Sequence, residues 1–193
     1  MNVLDGSASR PRRLRIGFNL DVVGYSTRSW QLRKMAQRRV SELTDDVIAH
    51  LGIDRAAVDR QGTGDGVLAF LAAELEPSWV LPRLLRTCQE LLHADNKLYT
   101  DRIRLRMAVT MGSIAPSEPG FAGEPATELS RLIDSDAARA AVVRHEDRDL
   151  VAVVSDILHS LAVDPSDDTY ARCRDRGEGN PGNGWLWIGR PPA

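Results

Sequence analysis

Cysteine is scarce in this chain: Cys88 and Cys173 are the only two in 193 residues. They show no CxxC spacing and no neighbouring histidine cluster, so neither a disulfide framework nor a zinc site is expected. Both read as ordinary thiols of a reducing compartment. Long apolar runs are lacking too. No stretch approaches the roughly twenty residues that span a bilayer, and the N-terminal MNVLDGSASRPRRLRIGF has no apolar centre of a secretory signal. A soluble, cytoplasmic protein without a membrane partner is expected. Charge of one sign is also missing, with 25 basic against 27 acidic residues and a formal net charge of -2. That balance gives no footprint for a nucleic-acid partner. Repeats are absent, and low complexity is confined to a Gly/Pro/Asn-rich stretch before residue 184.

What the chain does have is 42% hydrophobic residues, enough at this length for one substantial core. A polar leader containing Gly, Ser and Pro is expected over residues 1–13, and one domain over residues 14–193. Residues 14–20 alternate apolar and other side chains, the pattern of a strand, and lead into Asp21-Val22-Val23-Gly24-Tyr25-Ser26. Over residues 29–51, Leu32, Met35, Ala36, Val40, Leu43, Val47, Ile48 and Leu51 recur every three or four positions before Gly52, which predicts a long amphipathic helix. Arg33, Lys34, Arg38 and Arg39 fall on its other side and read as a solvated face.

Short apolar segments at 56–60 and 67–71 flank Gln61-Gly62-Thr63-Gly64-Asp65-Gly66, which predicts a hairpin with a carboxylate at its tip. A second helix opens at Pro77 and is patterned by Leu81, Leu84, Leu85, Cys88, Leu91 and Leu92. Ile103, Leu105, Met107 and Val109 then alternate with Arg102, Arg104 and Arg106, as in a half-buried strand. A shorter helix starting at Pro125 sets Leu129, Leu132 and Ile133 on one side and Thr127 with Arg131 on the other. A strand over 149–154, a helix over 155–163 capped by Ser155, and two terminal strands over 169–174 and 184–189 complete the series. The order predicts an α+β fold with helices packed on a mainly antiparallel sheet.

Asp21 and Asp65 are the informative acids. Each stands at a strand end in a glycine-containing turn, and oxygen ligands on rigid strand ends suit Mg²⁺ or Mn²⁺. Taken singly, an aspartate in a turn ordinarily bonds its own backbone. His50, His93, His145 and His159 are scattered and read as satisfied surface or helix-end residues. Trp185, Trp187 and Ile188 read as packing of a terminal strand or a dimer contact.

Four segments carry a resemblance. Asp21-Val22-Val23-Gly24-Tyr25-Ser26 resembles the D-I-V-G-[FY]-[ST] motif of class III adenylate and guanylate cyclases, and Gly64-Asp65-Gly66 their G-D-[AG] hairpin. The stretch from Leu105 to Gly112, LRMAVTMG, is similar to their L-R-[VM]-G-I-H-x-G strand. The stretch from Gly123 to Leu132, GEPATELSRL, is similar to their G-x-x-V-N-x-A-x-R-L helix. The order agrees, and the resemblance runs from about Leu14 to about Val154.

It implies a ferredoxin-like class III cyclase fold that turns a nucleoside triphosphate into a 3',5'-cyclic nucleotide and pyrophosphate. Two divalent ions, Mn²⁺ or Mg²⁺, would be held by Asp21, Asp65 and the Val22 carbonyl. Amides of Val23, Gly24, Tyr25 and Ser26 would cradle the phosphates ahead of a helix N-terminus. Arg131 would stabilise charge at the α-phosphate, against the ordinary alternative of a surface arginine paired with Glu128 or Asp134. In that family these groups come from opposite subunits, so the resemblance implies a homodimer with active sites at its interface.

The chain also departs from the motifs. Thr127 replaces the asparagine four residues before the arginine, where the ribose is positioned. Gln61 stands where adenylate cyclases carry Lys and guanylate cyclases Glu, and a base-reading Asp falls on Gly120. Small stand-alone cyclases without purine-reading residues resemble the pyrimidine cyclases of bacterial antiphage signalling, which make cyclic CMP or cyclic UMP. The competing reading is a catalytically degenerate nucleotide-binding or dimerisation module. A diguanylate-cyclase relative ranks last, because its Gly-Gly-Asp/Glu-Glu-Phe signature is absent.

Overall fold

The first strand, β1 (Arg13–Val22), runs through the middle of the molecule with a different environment on each face. Ile16, Phe18, Leu20 and Val22 enter the larger apolar core, whereas Gly17, Asn19 and Asp21 alternate with them and face the opposite way. The strand continues past the expected stop at Leu20, so Asp21 lies within it. The computed structural model describes residues 13–116, 121–173 and 184–189. Of the expected leader, residues 1–12 lie outside these, as does residue 120; Arg13 already belongs to β1.

Helix α1 (Trp30–His50) follows, with Ser29 as its cap accepting from the Leu32 amide at 3.4 Å. Strands β2 (Asp59–Gly62) and β3 (Gly66–Ala73) form the hairpin, whose first arm begins three residues later than expected. Helix α2 (Pro77–Leu98) opens on the expected proline, a residue whose missing N–H costs nothing in a first turn. Strand β4 (Leu105–Pro116) leads to the short β5 (Phe121–Ala122). Two helices then come where one was expected, α3 (Glu124–Ile133) and α4 (Asp136–Arg144). The second has a weak apolar signal, since alanines supply much of its buried side; its sequence mark is Ser135, which caps it by accepting from the Ala138 amide at 3.2 Å. Strand β6 (Leu150–Ser155), helix α5 (Asp156–Ala162), β7 (Tyr170–Cys173) and β8 (Gly184–Trp187) complete the described chain.

The sheet has the order β2-β3-β1-β4-β6-β8-β7, with β5 paired to β4 off this path. Its first half is the βαββαβ unit of ferredoxin-like folds. Every pairing among the described strands is antiparallel except β4 with β6, so the α+β expectation holds. Helices α1, α2 and α5 contribute to the larger core. Helices α3 and α4 cover the other face through Leu129, Leu132, Ile133, Ala138 and Ala141.

One surface expectation fails. Arg39 is 3% exposed. Its guanidinium donates to Asp95 at 2.8 Å, to the Asn96 side chain at 2.9 Å and to the Asp101 carbonyl at 2.6 Å, and lies 4.2 Å from the Tyr99 ring centre. It joins α1 to the end of α2, which helical periodicity alone could not reveal. The terminal aromatics do pack: Trp187 is in the core and Trp185 stacks on His159 with ring centres 3.7 Å apart.

Candidate functional site

The two aspartates meet because of sheet register. Asp21 pairs with Gly66 on β3, and the Val22 amide donates to the Asp65 carbonyl at 3.1 Å. A Cβ at residue 66 would lie 1.7 Å from the Leu20 carbonyl oxygen, so only glycine lets the hairpin approach β1 this closely. The tip is closed by the Thr63 amide donating to the Gly66 carbonyl at 3.1 Å. Gln37 of α1 donates to the Gly64 carbonyl and ties the tip down.

Asp21 and Asp65 border a cleft of about 220 Å³ together with Asn19, Thr63, Arg106 and three residues of α3 and its end, Ser130, Ile133 and Asp134. Arg106 is opposite Asp21 in the β1/β4 register, so both side chains leave the same face. Its Nε donates to Asp21 Oδ2 at 2.9 Å, and a second guanidinium nitrogen reaches the same oxygen. Asp21, 9% exposed, is held above the ordinary carboxylate value of 3.8, first by burial; Arg106 opposes this, and the adjoining Asp65 carboxylate adds to it. A buried acid beside another acid is an arrangement that a bound cation relieves.

The donor set fits a divalent ion. Asp21 and Asp65 face one cleft whose third acid, Asp134, is paired with Arg139 at 3.1 Å, and Asn19, also 9% exposed, adds a carboxamide oxygen that has no hydrogen-bond partner. Hard oxygens of this kind suit Mg²⁺ or Mn²⁺. Among the described residues no group of three His, Cys, Asp or Glu side chains exists that could hold an ion, so a site here relies on two acids plus neutral oxygens.

Beyond β1 the chain turns at Gly24, whose φ of 69° is left-handed, into a short 3-10 turn, Tyr25–Thr27. The turn is braced by the Thr27 hydroxyl donating to the Gly24 carbonyl at 2.8 Å. Two sequence expectations change here. The Val23 amide is taken by the Arg104 carbonyl at 2.9 Å, so it is not free to meet a ligand. The α1 axis begins only at Trp30, which leaves Gly24, Tyr25 and Ser26 a full turn ahead of the helix N-terminus. Their amides donate to no backbone carbonyl among the described residues.

The remaining expected residues do not join this cleft. Thr127 and Arg131 lie on α3, exposed and partly exposed, and Arg131 sits 3.8 Å from Glu128. Gln61 is exposed on β2. What sequence reasoning missed is Arg106. The alternating Arg102, Arg104 and Arg106 looked equivalent, yet the fold separates them. Arg102 bonds Asp149 at 2.6 Å, Arg104 donates to the carbonyls of Val142, His145 and Arg148, and Arg106 holds Asp21. Periodicity does not distinguish the third, although it alone falls within the LRMAVTMG stretch; the strand register shows that it faces Asp21.

A larger cleft of about 500 Å³ lies at the end of α2, beside His93, Asn96, Arg102 and Asp149. Its two acids are ion-paired, Asp149 with Arg102 at 2.6 Å and His93 at 3.2 Å, and Asp147 with Arg148 at 2.9 Å. The smaller cleft is the one that brings Asp21 and Asp65 together.

No family model matches the chain, and no curated protein matches it in sequence. Solved structures do match in fold. The guanylyl cyclase Cya2 superimposes with a TM-score of 0.66 at 15% identity, covering 95% of this chain and 96% of that one. The guanylate cyclase domain of RhGC from Catenaria anguillulae in complex with GTP gives 0.61 at 14% identity, over 94% of this chain and 100% of that one. A bacterial light-regulated adenylyl cyclase gives 0.58 at 10% identity, over 92% and 91%. The chain therefore has the fold of class III nucleotidyl cyclase catalytic domains.

Proposed function

We propose that the protein is a metal-dependent nucleotidyl cyclase that converts a nucleoside triphosphate to a 3',5'-cyclic nucleotide and pyrophosphate. The observation that carries this reading is the convergence of Asp21 and Asp65 in one cleft through the pairing of Asp21 with Gly66. Fold alone decides no chemistry. Two carboxylates meeting at the end of the strand that leads into the Gly24 turn favour it.

In this reading Asp21, Asp65 and the Val22 carbonyl hold two divalent ions, Mn²⁺ or Mg²⁺. Such ions lower the pKa of the ribose 3'-hydroxyl and neutralise the triphosphate. The amides of Gly24, Tyr25 and Ser26 receive phosphate oxygens. Arg106, which donates to Oδ2 of Asp21, would remain as a cation at the cleft wall. Attack of the 3'-oxygen on the α-phosphorus forms the cyclic diester and breaks the bond to pyrophosphate, with the hydroxyl proton lost to solvent. Arg131 stabilises the charge that grows on the α-phosphate, and Thr127 hydrogen-bonds near the ribose.

Arg131 and Thr127 do not border their own chain's cleft, which favours a homodimer in which each copy completes the other's site. Gln61 is a neutral amide and supports neither purine assignment. The substrate reading is a pyrimidine triphosphate, giving cyclic UMP or cyclic CMP in antiphage signalling. Gly120, the expected base-reading position, lies outside the described residues.

The test is to incubate purified protein with each of the four ribonucleoside triphosphates and Mn²⁺, and identify products by mass spectrometry. One cyclic nucleotide with stoichiometric pyrophosphate is expected. No cyclic product from any of the four would end the enzyme reading in favour of a catalytically silent binding module.

A further inference from the structure

Asn19 stands two residues before Asp21 on the same strand and faces the same way. It is 9% exposed, its Oδ1 is shut from solvent without a hydrogen-bond partner, and its side chain borders the cleft with Asp21, Asp65 and Arg106. An unsatisfied buried amide is costly, and native structures keep few of them. The neighbours give no relief: Asn19 pairs with Leu68 on β3 and Ala108 on β4, and Leu129, Leu132 and Ile133 pack this face from α3. An apolar side chain would suit such a floor better.

We propose that Asn19 is a neutral oxygen ligand of the aspartate cleft, bonding the divalent ion between Asp21 and Asp65 directly or through one of its waters. The inference rests on the cyclase reading and deepens it. Rotation about the last side-chain bond exchanges the two ends of the carboxamide, so the oxygen can turn into the cleft without moving the strand. The oxygen left unpaired in the empty protein is then satisfied in the loaded one, at the cost of turning the NH2 end toward the apolar floor. A third oxygen also answers the shortage of acids, since two carboxylates, one of them shared with Arg106, leave much of an octahedral shell to neutral donors. Asn19 thereby trades stability of the metal-free protein for metal affinity.

The distinguishing experiment combines thermal unfolding of metal-free protein with a Mn²⁺ titration, in the presence of inorganic pyrophosphate, followed by electron paramagnetic resonance. Asn19→Leu is expected to raise the unfolding temperature by about 2–4 °C, as removal of an unmet polar group should in a chain of this size. It should weaken Mn²⁺ binding by about tenfold or more, the usual loss for a supporting metal contact. Asn19→Asp should bind Mn²⁺ at least as tightly as the parent. Should Asn19→Leu fail to fold, Asn19→Ala provides the same binding readout. Parental Mn²⁺ affinity in the apolar variant overturns the assignment and leaves the cyclase reading standing. Absence of Mn²⁺ binding in the parent protein itself overturns both.

Discussion

Among the arginine–carboxylate clusters of the described residues, those around Arg39 and around Arg106 are built to opposite specifications. Around Arg39, donors find partners on Asp95, Asn96 and the Asp101 carbonyl, and Tyr99 covers the guanidinium face. Around Arg106, the partner carboxylate is pushed toward protonation by burial and by a second acid, and the amide beneath it lacks a partner. A satisfied network fastens α1 to α2; the one around Arg106 leaves the Asn19 oxygen unpaired. Buried polar groups therefore say little by type, and a great deal by whether their bonding capacity is met.

The comparison breaks first at the acids. Asp65→Ala should lower cyclic-nucleotide formation by roughly 10³-fold or more, the scale of losing a group that supports transition-state charge, while leaving the unfolding midpoint close to the parent's. A product assay beside thermal unfolding checks both halves. Retained activity would show that the cleft is not the reaction centre.

Arg39→Ala should do the reverse. Leaving Asp95 without its buried partner should cost about 3 kcal/mol of stability, read from urea unfolding, with Mn²⁺ affinity of the remaining folded protein unchanged. A matching loss of affinity would mean that the two clusters are coupled.

Arg131→Ala should lose roughly 10²-fold in rate with little change in stability, because its one ion pair is partly exposed. Mixing it with Asp65→Ala should restore part of the activity, since a mixed dimer contains one intact site. Failure of two inactive variants to complement would place Arg131 outside its neighbour's site.

The smallest effect is on pH. The folded-state value of Asp21 lies above its ordinary 3.8, so ionising it carries a stability penalty that is absent at strongly acid pH and fully present above the raised value. Metal-free protein should thus lose some stability as pH rises through that window. Mn²⁺, which competes with the proton, should bind progressively worse as pH falls through it. Arg106→Leu, removing the group that holds Asp21 down, should move the acid limb of the Mn²⁺ binding profile to higher pH. An unmoved limb would show that Arg106 does not set the ionisation of Asp21.

Much of this was legible in the chain itself. The α1 and α2 helices, the α+β order and the glycine-rich hairpin follow from hydrophobic period, caps and turn residues, because those are local signals; the ferredoxin-like fold and the weight placed on Asp21 with Asp65 come from the family resemblance. Helix α4 escaped because alanine gives little hydrophobic contrast. Arg39 escaped because its partners lie 56 residues or more along the chain.

Sequence by itself determined which residues have the chemistry for a divalent ion and which strands and turns present them. Tertiary structure alone decided that Arg106, and neither Arg102 nor Arg104, faces Asp21, that the Val23 amide is spent on Arg104, and that Asn19 ends without a partner. The physical reason is that register between strands distant in sequence sets which side chains share a face, and burial then decides whether a polar group meets water, a partner or neither.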